Sequence, residues 1–157
     1  MPIGSMNDKG LAGLPVNKVE ALRLNELSAA QGCAVAQYNS GLTYYMGDGV
    51  AKNGEKAFHY CSLAAAQGDC DAIGQLGRCY SNGFGVAMDK QKAFSHFRRA
   101  AELGDTVSKY NLARCYEKGA GVTKDISAAR KWYAAAAADG DADAKAAVGT
   151  SSSMAEN

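Results

Sequence analysis

Proline is nearly missing from this chain. Only Pro2 and Pro15 occur in 157 residues, so nothing after position 15 forbids an unbroken succession of helices. Net charge is nearly missing too: 17 Lys and Arg face 16 Asp and Glu. That balance removes the field that would draw the protein to nucleic acid, anionic lipid or a highly charged substrate, and no nucleic-acid partner is expected. No apolar run approaches the roughly 20 residues of a membrane span, and Met1 to Asn7 lacks the basic-then-apolar form of a secretory leader. The expectation is a soluble, cytoplasmic protein without membrane insertion. Histidine is scarce as well. His59 and His96 lie far apart, so no Cys-His or Ser-His-Asp constellation can be assembled from spacing.

Glycine, by contrast, is plentiful and evenly placed. Gly32, Gly68, Gly104 and Gly140 recur every 36 residues, and Gly47/Gly49, Gly83/Gly85 and Gly119/Gly121 form three Gly-x-Gly loops in the same register, ending in Val50, Val86 and Val122. Tyr44, Tyr80 and Tyr116 share that period, as do Ala21, Ala57, Ala93 and Ala129. Each unit carries two amphipathic stripes. In the leading segment Ala36, Ser40, Gly41 and Tyr44 fall on one helical face; in the trailing segment Ala93, His96, Phe97, Ala100 and Ala101 do the same. Asn17, Asn53, Asp89 and Asp125 stand where the trailing helix should begin, as N-caps, and Gly68 and its equivalents supply left-handed C-caps. The Gly-x-Gly loops follow a helix and lack a downstream Lys-Ser/Thr, so they read as turns rather than phosphate cradles.

A hairpin cannot bury both sides of its apolar stripe alone, so the units must stack. The fold class is therefore all-α, a right-handed α/α superhelix of 36-residue helix-loop-helix repeats. The expected organisation is a disordered segment at 1–15 and a solenoid at 16–149. The solenoid comprises a partial repeat 16–33, repeats 34–69, 70–105 and 106–141, and a partial capping helix 142–149; a disordered tail follows at 150–157. The half-repeat start fits either an excerpt of a longer array or an N-terminal cap.

The run Asn111-Leu112-Ala113, Tyr116, Gly119-Ala120-Gly121-Val122, Asp125, Ala129, Trp132-Tyr133 and Ala136-Ala137 resembles the Sel-one-like repeat family, relatives of the tetratricopeptide repeats. Ser40 in place of Leu and Ile73-Gly74 in place of Gln-Tyr are local departures. The resemblance implies an adaptor or scaffold that binds a protein or peptide. A helical wheel places a groove on the leading-helix face opposite the buried stripe. It collects Tyr38, Asn39, Leu42 and Met46 from the first unit, Gln75, Arg78 and Asn82 from the second, and Tyr110, Asn111, Arg114 and Lys118 from the third. Amides suit an extended main chain, Arg and Tyr are typical interface anchors, and an acidic side chain would sit near Arg78 and Arg114.

Cys33, Cys61, Cys70, Cys79 and Cys115 offer no Cys-x-x-Cys pair and are odd in number, which argues against zinc. Cys79 and Cys115 occupy equivalent positions in adjacent units, about 8–10 Å apart by helix spacing and beyond the roughly 7 Å reach of a disulfide. That pair reads as reduced, and the cysteines read as buried small hydrophobes. His96 reads as a satisfied core histidine and His59 as solvent-facing. No catalytic residue, cofactor or metal is expected, and the chain reads as a non-enzyme. Two alternatives stand beside the adaptor: a β-lactam-type hydrolase, implied only by cysteine-rich members of the family, and an oligomerising spacer that self-associates through its half-repeat ends.

Overall fold

A computed structural model describes residues 14–156, with side chains from 17 to 149. The expected disorder of residues 1–13 lies outside the described residues. Among these, eight helices and no strand occur: α1 (Leu14–Ala30), α2 (Ala34–Met46), α3 (Gly54–Ala66), α4 (Cys70–Asn82), α5 (Lys90–Glu102), α6 (Thr106–Lys118), α7 (Ile126–Ala138) and α8 (Ala142–Glu156). Each helix packs on its sequence neighbour, so α2/α3, α4/α5 and α6/α7 are three stacked hairpins. The last helix runs to Glu156, past the boundary of 149 set by the fading periodicity.

The caps explain where helices start. Asn53, Asp89 and Asp125 each accept the amide three residues on, from Lys56, Lys92 and Ala128, and so open α3, α5 and α7. Asn17 stands inside a helix rather than at its start. Helix α1 begins at Leu14, because Pro15 suits a first helical turn in which no amide partner is needed. A second set of caps serves the leading helices: Asp69, Asp105 and Asp141 accept from Ala72, Ser108 and Ala144. Cys33 holds the equivalent place before α2, with the same extended backbone but no side-chain cap bond. Trailing helices end at Gly32, Gly68, Gly104 and Gly140, all at positive φ as expected.

Both predicted stripes are buried. Ala36, Ser40, Gly41 and Tyr44 are inside on α2, and Ala93, Phe97, Ala100 and Ala101 on α5. His96 is only half-buried; its Nδ1 lies 2.8 Å from the Lys92 carbonyl and its ring leans on Tyr80. His59 is exposed. The repeated tyrosine joins neighbouring units: Tyr80 meets Phe58 of the preceding hairpin edge-on at 5.6 Å and His96 of its own hairpin at 5.2 Å. Phe94 and Tyr116 repeat the first contact one unit later at 5.4 Å. At the front of the stack Glu26 accepts the hydroxyls of both Tyr44 and Tyr60. Burial and that carboxylate push the Tyr44 phenol up to about 12.

The second glycine of the second and third loops brings backbone against backbone between units, whereas Gly49 of the first loop lies against the Lys18 side chain. A Cβ at Gly85 would land on the Gly54 carbonyl, at the start of the preceding hairpin's trailing helix, and a Cβ at Gly121 would land on the Lys90 carbonyl. No helix among the described residues is long and apolar enough to cross a membrane.

Of the cysteines, Cys61, Cys79 and Cys115 are buried as expected. Cys33 is exposed and Cys70 half-buried, because both sit at helix starts rather than on a packed stripe.

Candidate functional site

The leading helices α2, α4 and α6 lie side by side and present one face away from their trailing partners. Along α4 and α6 this face opens into a hollow of about 550 Å³ whose lining includes Arg78, Asn82, Tyr110, Asn111, Arg114 and Lys118, six of the groove residues expected from the wheel. Lys90 joins from the first turn of α5, and Asp141 and Asp143 from the start of α8. Four cations therefore look onto one cavity, with two carboxylates at its far rim. Sequence periodicity carried little signal for Lys90, whose equivalents are Lys18, Gly54 and Ile126. Its Nζ is held 3.0 Å from the Ser81 carbonyl, which keeps the charge beside α4.

The remaining expected residues divide. Tyr38 and Gln75, again with Arg78 and Asn111, line a smaller adjoining pocket of about 80 Å³. Leu42 and Met46 line a separate hollow of about 410 Å³ beside the first Gly-x-Gly loop. Asn39 lines none of the three. The expectation of one continuous face is corrected here: none of the four residues expected from the first unit lines the cation-lined hollow, and only Tyr38 reaches the pocket that adjoins it.

Of the eleven residues the wheel places outward, only Met46, Asn82, Arg114 and Lys118 are exposed; Gln75 is buried and the other six are half-buried. Gln75 is only 3% exposed and lies in the pocket between Tyr38 of α2 and Ser108 and Asn111 of α6. Arg78 is half-buried and already engaged. Its guanidinium lies 4.8 Å from the Tyr45 ring centre, and its Nη1 donates to Gln75 Oε1 at 3.3 Å. Asn82 donates to the Tyr45 hydroxyl at 2.7 Å. Tyr45, absent from the sequence-derived set, thus fixes the near wall by holding two α4 side chains from across the unit boundary. Arg114, in contrast, is exposed and rests over Tyr110 at 5.9 Å. Held cations of this kind lose little freedom on meeting an anionic group.

The smaller pocket is acidic. Asp71 and Asp105 face each other in it, and the hydrogen bond between them, with burial and the charges of Asp105 and Asp69, raises the Asp71 carboxyl to about 6. Burial, together with the charges of Asp71, Cys61 and Asp105, raises the Tyr38 phenol to about 12.

The histidines engage no nucleophile: His59 contacts Tyr60, and His96 contacts the Lys92 carbonyl and Tyr80. Burial pushes the Cys61 thiol up to about 12 and the Cys79 thiol to about 11, the opposite of an activated nucleophile.

Comparison with known proteins agrees with this architecture. The Sel1 repeat pattern matches residues 3–33, 34–69, 70–105 and 106–141. A Sel1 repeat protein from Oxalobacter formigenes is 38% identical, superposes with a TM-score of 0.70, and is matched over 82% of this chain and 97% of its own. A protective antigen of uropathogenic Escherichia coli displaying an SLR fold is 33% identical with a TM-score of 0.76, over 95% of this chain and 32% of its own. The Helicobacter pylori cysteine rich protein B is 26% identical with a TM-score of 0.67, over 80% of this chain and 92% of its own. No curated protein matches the chain. Proteins of this repeat type are generally protein-interaction scaffolds, and the fold is typically non-enzymatic. With its pattern repeated four times along the sequence and its stacked hairpins shared with solved relatives, the chain belongs to the Sel1 repeat family.

Proposed function

We propose that the protein is a scaffold that holds an extended, acidic peptide segment of a protein partner along α4 and α6. The observation that carries this reading is the convergence of Arg78, Lys90, Arg114 and Lys118 on one open hollow in a chain whose overall charge is only +1. Such focusing is local, so it selects an acidic stretch without making the whole protein a polyanion binder. Tyr110 and the aliphatic Val107 supply apolar contact between the cations, and Asn82 and Asn111 supply amides for main-chain groups. The hydrolase alternative gains nothing from the buried, protonated thiols.

The test is fluorescence anisotropy with a fluorescein-labelled peptide containing two consecutive Asp-Glu pairs, against the wild type and an Arg114→Ala/Lys118→Ala variant. Both side chains are exposed, so helicity and melting should stay put. Losing two charge contacts should weaken binding about tenfold or more, and raised salt should weaken the wild type in the same direction. Equal affinity of the two proteins for the peptide, or a salt-independent signal, would remove the groove from the reading.

A further inference from the structure

The middle unit departs from its neighbours at two adjacent face positions. Gly74 stands where the flanking units have Tyr38 and Tyr110, and Asp71 stands where they have Val35 and Val107. Gly74, where a Cβ would land on Ser108 Oγ, lets α6 come close to α4, and Asp71 on the same face of α4 makes the adjoining pocket of about 80 Å³ acidic. Two features of its lining are incomplete. Gln75 is 97% buried by its 3% exposure, and its Nε2 has no hydrogen-bond partner. The orientation of that amide is fixed from the other side, since Oε1 accepts from Arg78 Nη1, which leaves the NH₂ as an unused donor. A buried donor left unmade is destabilising, so a ligand acceptor placed there gains by satisfying it. The second feature is the carboxylate pair. Asp71 and Asp105 meet side by side with no salt bridge to either among the described residues. Asp105 Oδ2 is used to cap α6 through the Ser108 amide and hydroxyl, so its remaining acceptor capacity faces Asp71.

One donor wanting an acceptor and two acceptors wanting a cation, in one small pocket, are complementary to a short piece of peptide. We infer that the pocket of Tyr38, Asp71, Gln75, Asp105 and Ser108 is a subsite for a basic residue of the bound segment, its cationic tip on Asp71 and Asp105 and a main-chain carbonyl on Gln75 Nε2. This deepens the groove reading and rests on it: the partner carries a Lys or Arg beside its acidic stretch, the basic residue entering at α4 and the acidic ones lying on Arg114 and Lys118. Arg78, shared by both cavities, separates the two charges. The cation replaces the proton that the carboxylate pair holds, so uptake releases a proton and strengthens as pH rises through about 6. The charged or titratable groups facing this pair are Tyr38 from α2, Asp69 before α4, Cys70 and Arg78 on α4, and Asp105 before α6. Cys70 Sγ and the two carboxylates lie within 4.8 Å of one another, so a metal ion is the rival occupant. Burial and the three nearby aspartates keep that thiol above its usual range, which favours an organic cation over a thiophilic metal.

The experiment is an NMR titration of the full chain that follows the Gln75 side-chain amide. The probes are N-acetyl-lysine N-methylamide and, as a control with the carbonyl but no charge, N-acetyl-norleucine N-methylamide. The lysine probe should give a saturable shift with a Kd on the order of 1–10 mM at pH 7.5. Uptake should be several-fold weaker at pH 5 and in Asp71→Asn, whose fold is checked by the unchanged backbone spectrum. No saturable shift, or equal shifts from lysine and norleucine probes, would overturn the assignment, as would zinc alone broadening Cys70 and blocking the lysine probe. A separate arm with N-acetyl-aspartyl-aspartate amide reads the Arg114 and Lys118 side chains. Failure there with success at Gln75 counts against the acidic groove and leaves the basic subsite standing.

Discussion

Replacing Gly85 with Ala tests how the units are joined. Gly85 sits at φ +78°, where a Cβ costs about 1–2 kcal/mol. That Cβ would also land on the Gly54 carbonyl, with Gly54 Cα at 3.1 Å, and these are backbone atoms that cannot rotate aside. Forcing two packed backbones apart adds about 1–3 kcal/mol. The total, about 2–5 kcal/mol, is a large part of the roughly 5–15 kcal/mol that holds a domain folded. Two controls carry the first penalty without the second. Gly83 has φ +67° and would place its Cβ 3.3 Å from the Met88 side chain, and Gly104 has φ +103° with nothing within 4 Å. Urea unfolding followed by far-UV circular dichroism should therefore rank Gly85→Ala well below Gly83→Ala and Gly104→Ala. Gly121→Ala, whose Cβ would strike Lys90, should group with Gly85→Ala. Equal losses in all four would show that the loops join the units through something other than this backbone contact.

Four more outcomes are expected. Cys33→Asp should raise stability by about 1 kcal/mol, since the backbone there already matches Asp69 and Asp105 but the cap bond is missing; differential scanning calorimetry would show it as roughly 2–4 °C. Ser40→Ala should also stabilise, by about 1 kcal/mol in urea titration, because the fully buried Ser40 hydroxyl has no partner. Ellman's reagent on the native protein should label the exposed Cys33 first, then Cys70; Cys61, Cys79 and Cys115 should react only on unfolding. Asp71→Asn should raise the melting temperature at pH 7.5. The folded carboxyl titrates near 6 against 3.8 for the free group, so its destabilising charge disappears as pH falls through that window, and variant and wild type should converge near pH 4.

The fold was legible because its determinants repeat. Asn53, Asp89 and Asp125 mark helix starts at a fixed interval, and Gly68 with its equivalents marks helix ends, so one unit's chemistry checks the next. Asn17 failed as a cap because a local rule, proline in the first turn, outranked the period at the end of the array. Asp69, Asp105 and Asp141 also recur every 36 residues, but their capping role rests on backbone geometry, extended at Asp69 and Asp105, that the period does not carry. The groove was legible only as far as one helix determines it. A wheel places Arg114 and Lys118 outward, and they are. It carries no information on Tyr45 reaching across a unit boundary to Arg78 and Asn82, or on Gln75 being buried between side chains of α2 and α6.

Repetition hides specificity for the same reason that it reveals architecture. A residue shared by every unit, such as Tyr44, Tyr80 or Tyr116, must serve the contact that every unit makes, and these rings do so through the interior. A feature that distinguishes one partner from another must instead break the period, because identical units offer identical surfaces. The breaks on the leading-helix face cluster in the middle unit, where Asp71 and Gly74 replace Val and Tyr. Asp71 places a carboxylate beside another, whereas Gly74, where a Cβ would land on Ser108 Oγ, lets the leading helices pack closely. A departure that weakens the stack beside an open cavity is where a repeat protein sets aside stability for recognition, so under the proposed function α4, rather than either end of the array, is the element that selects the partner.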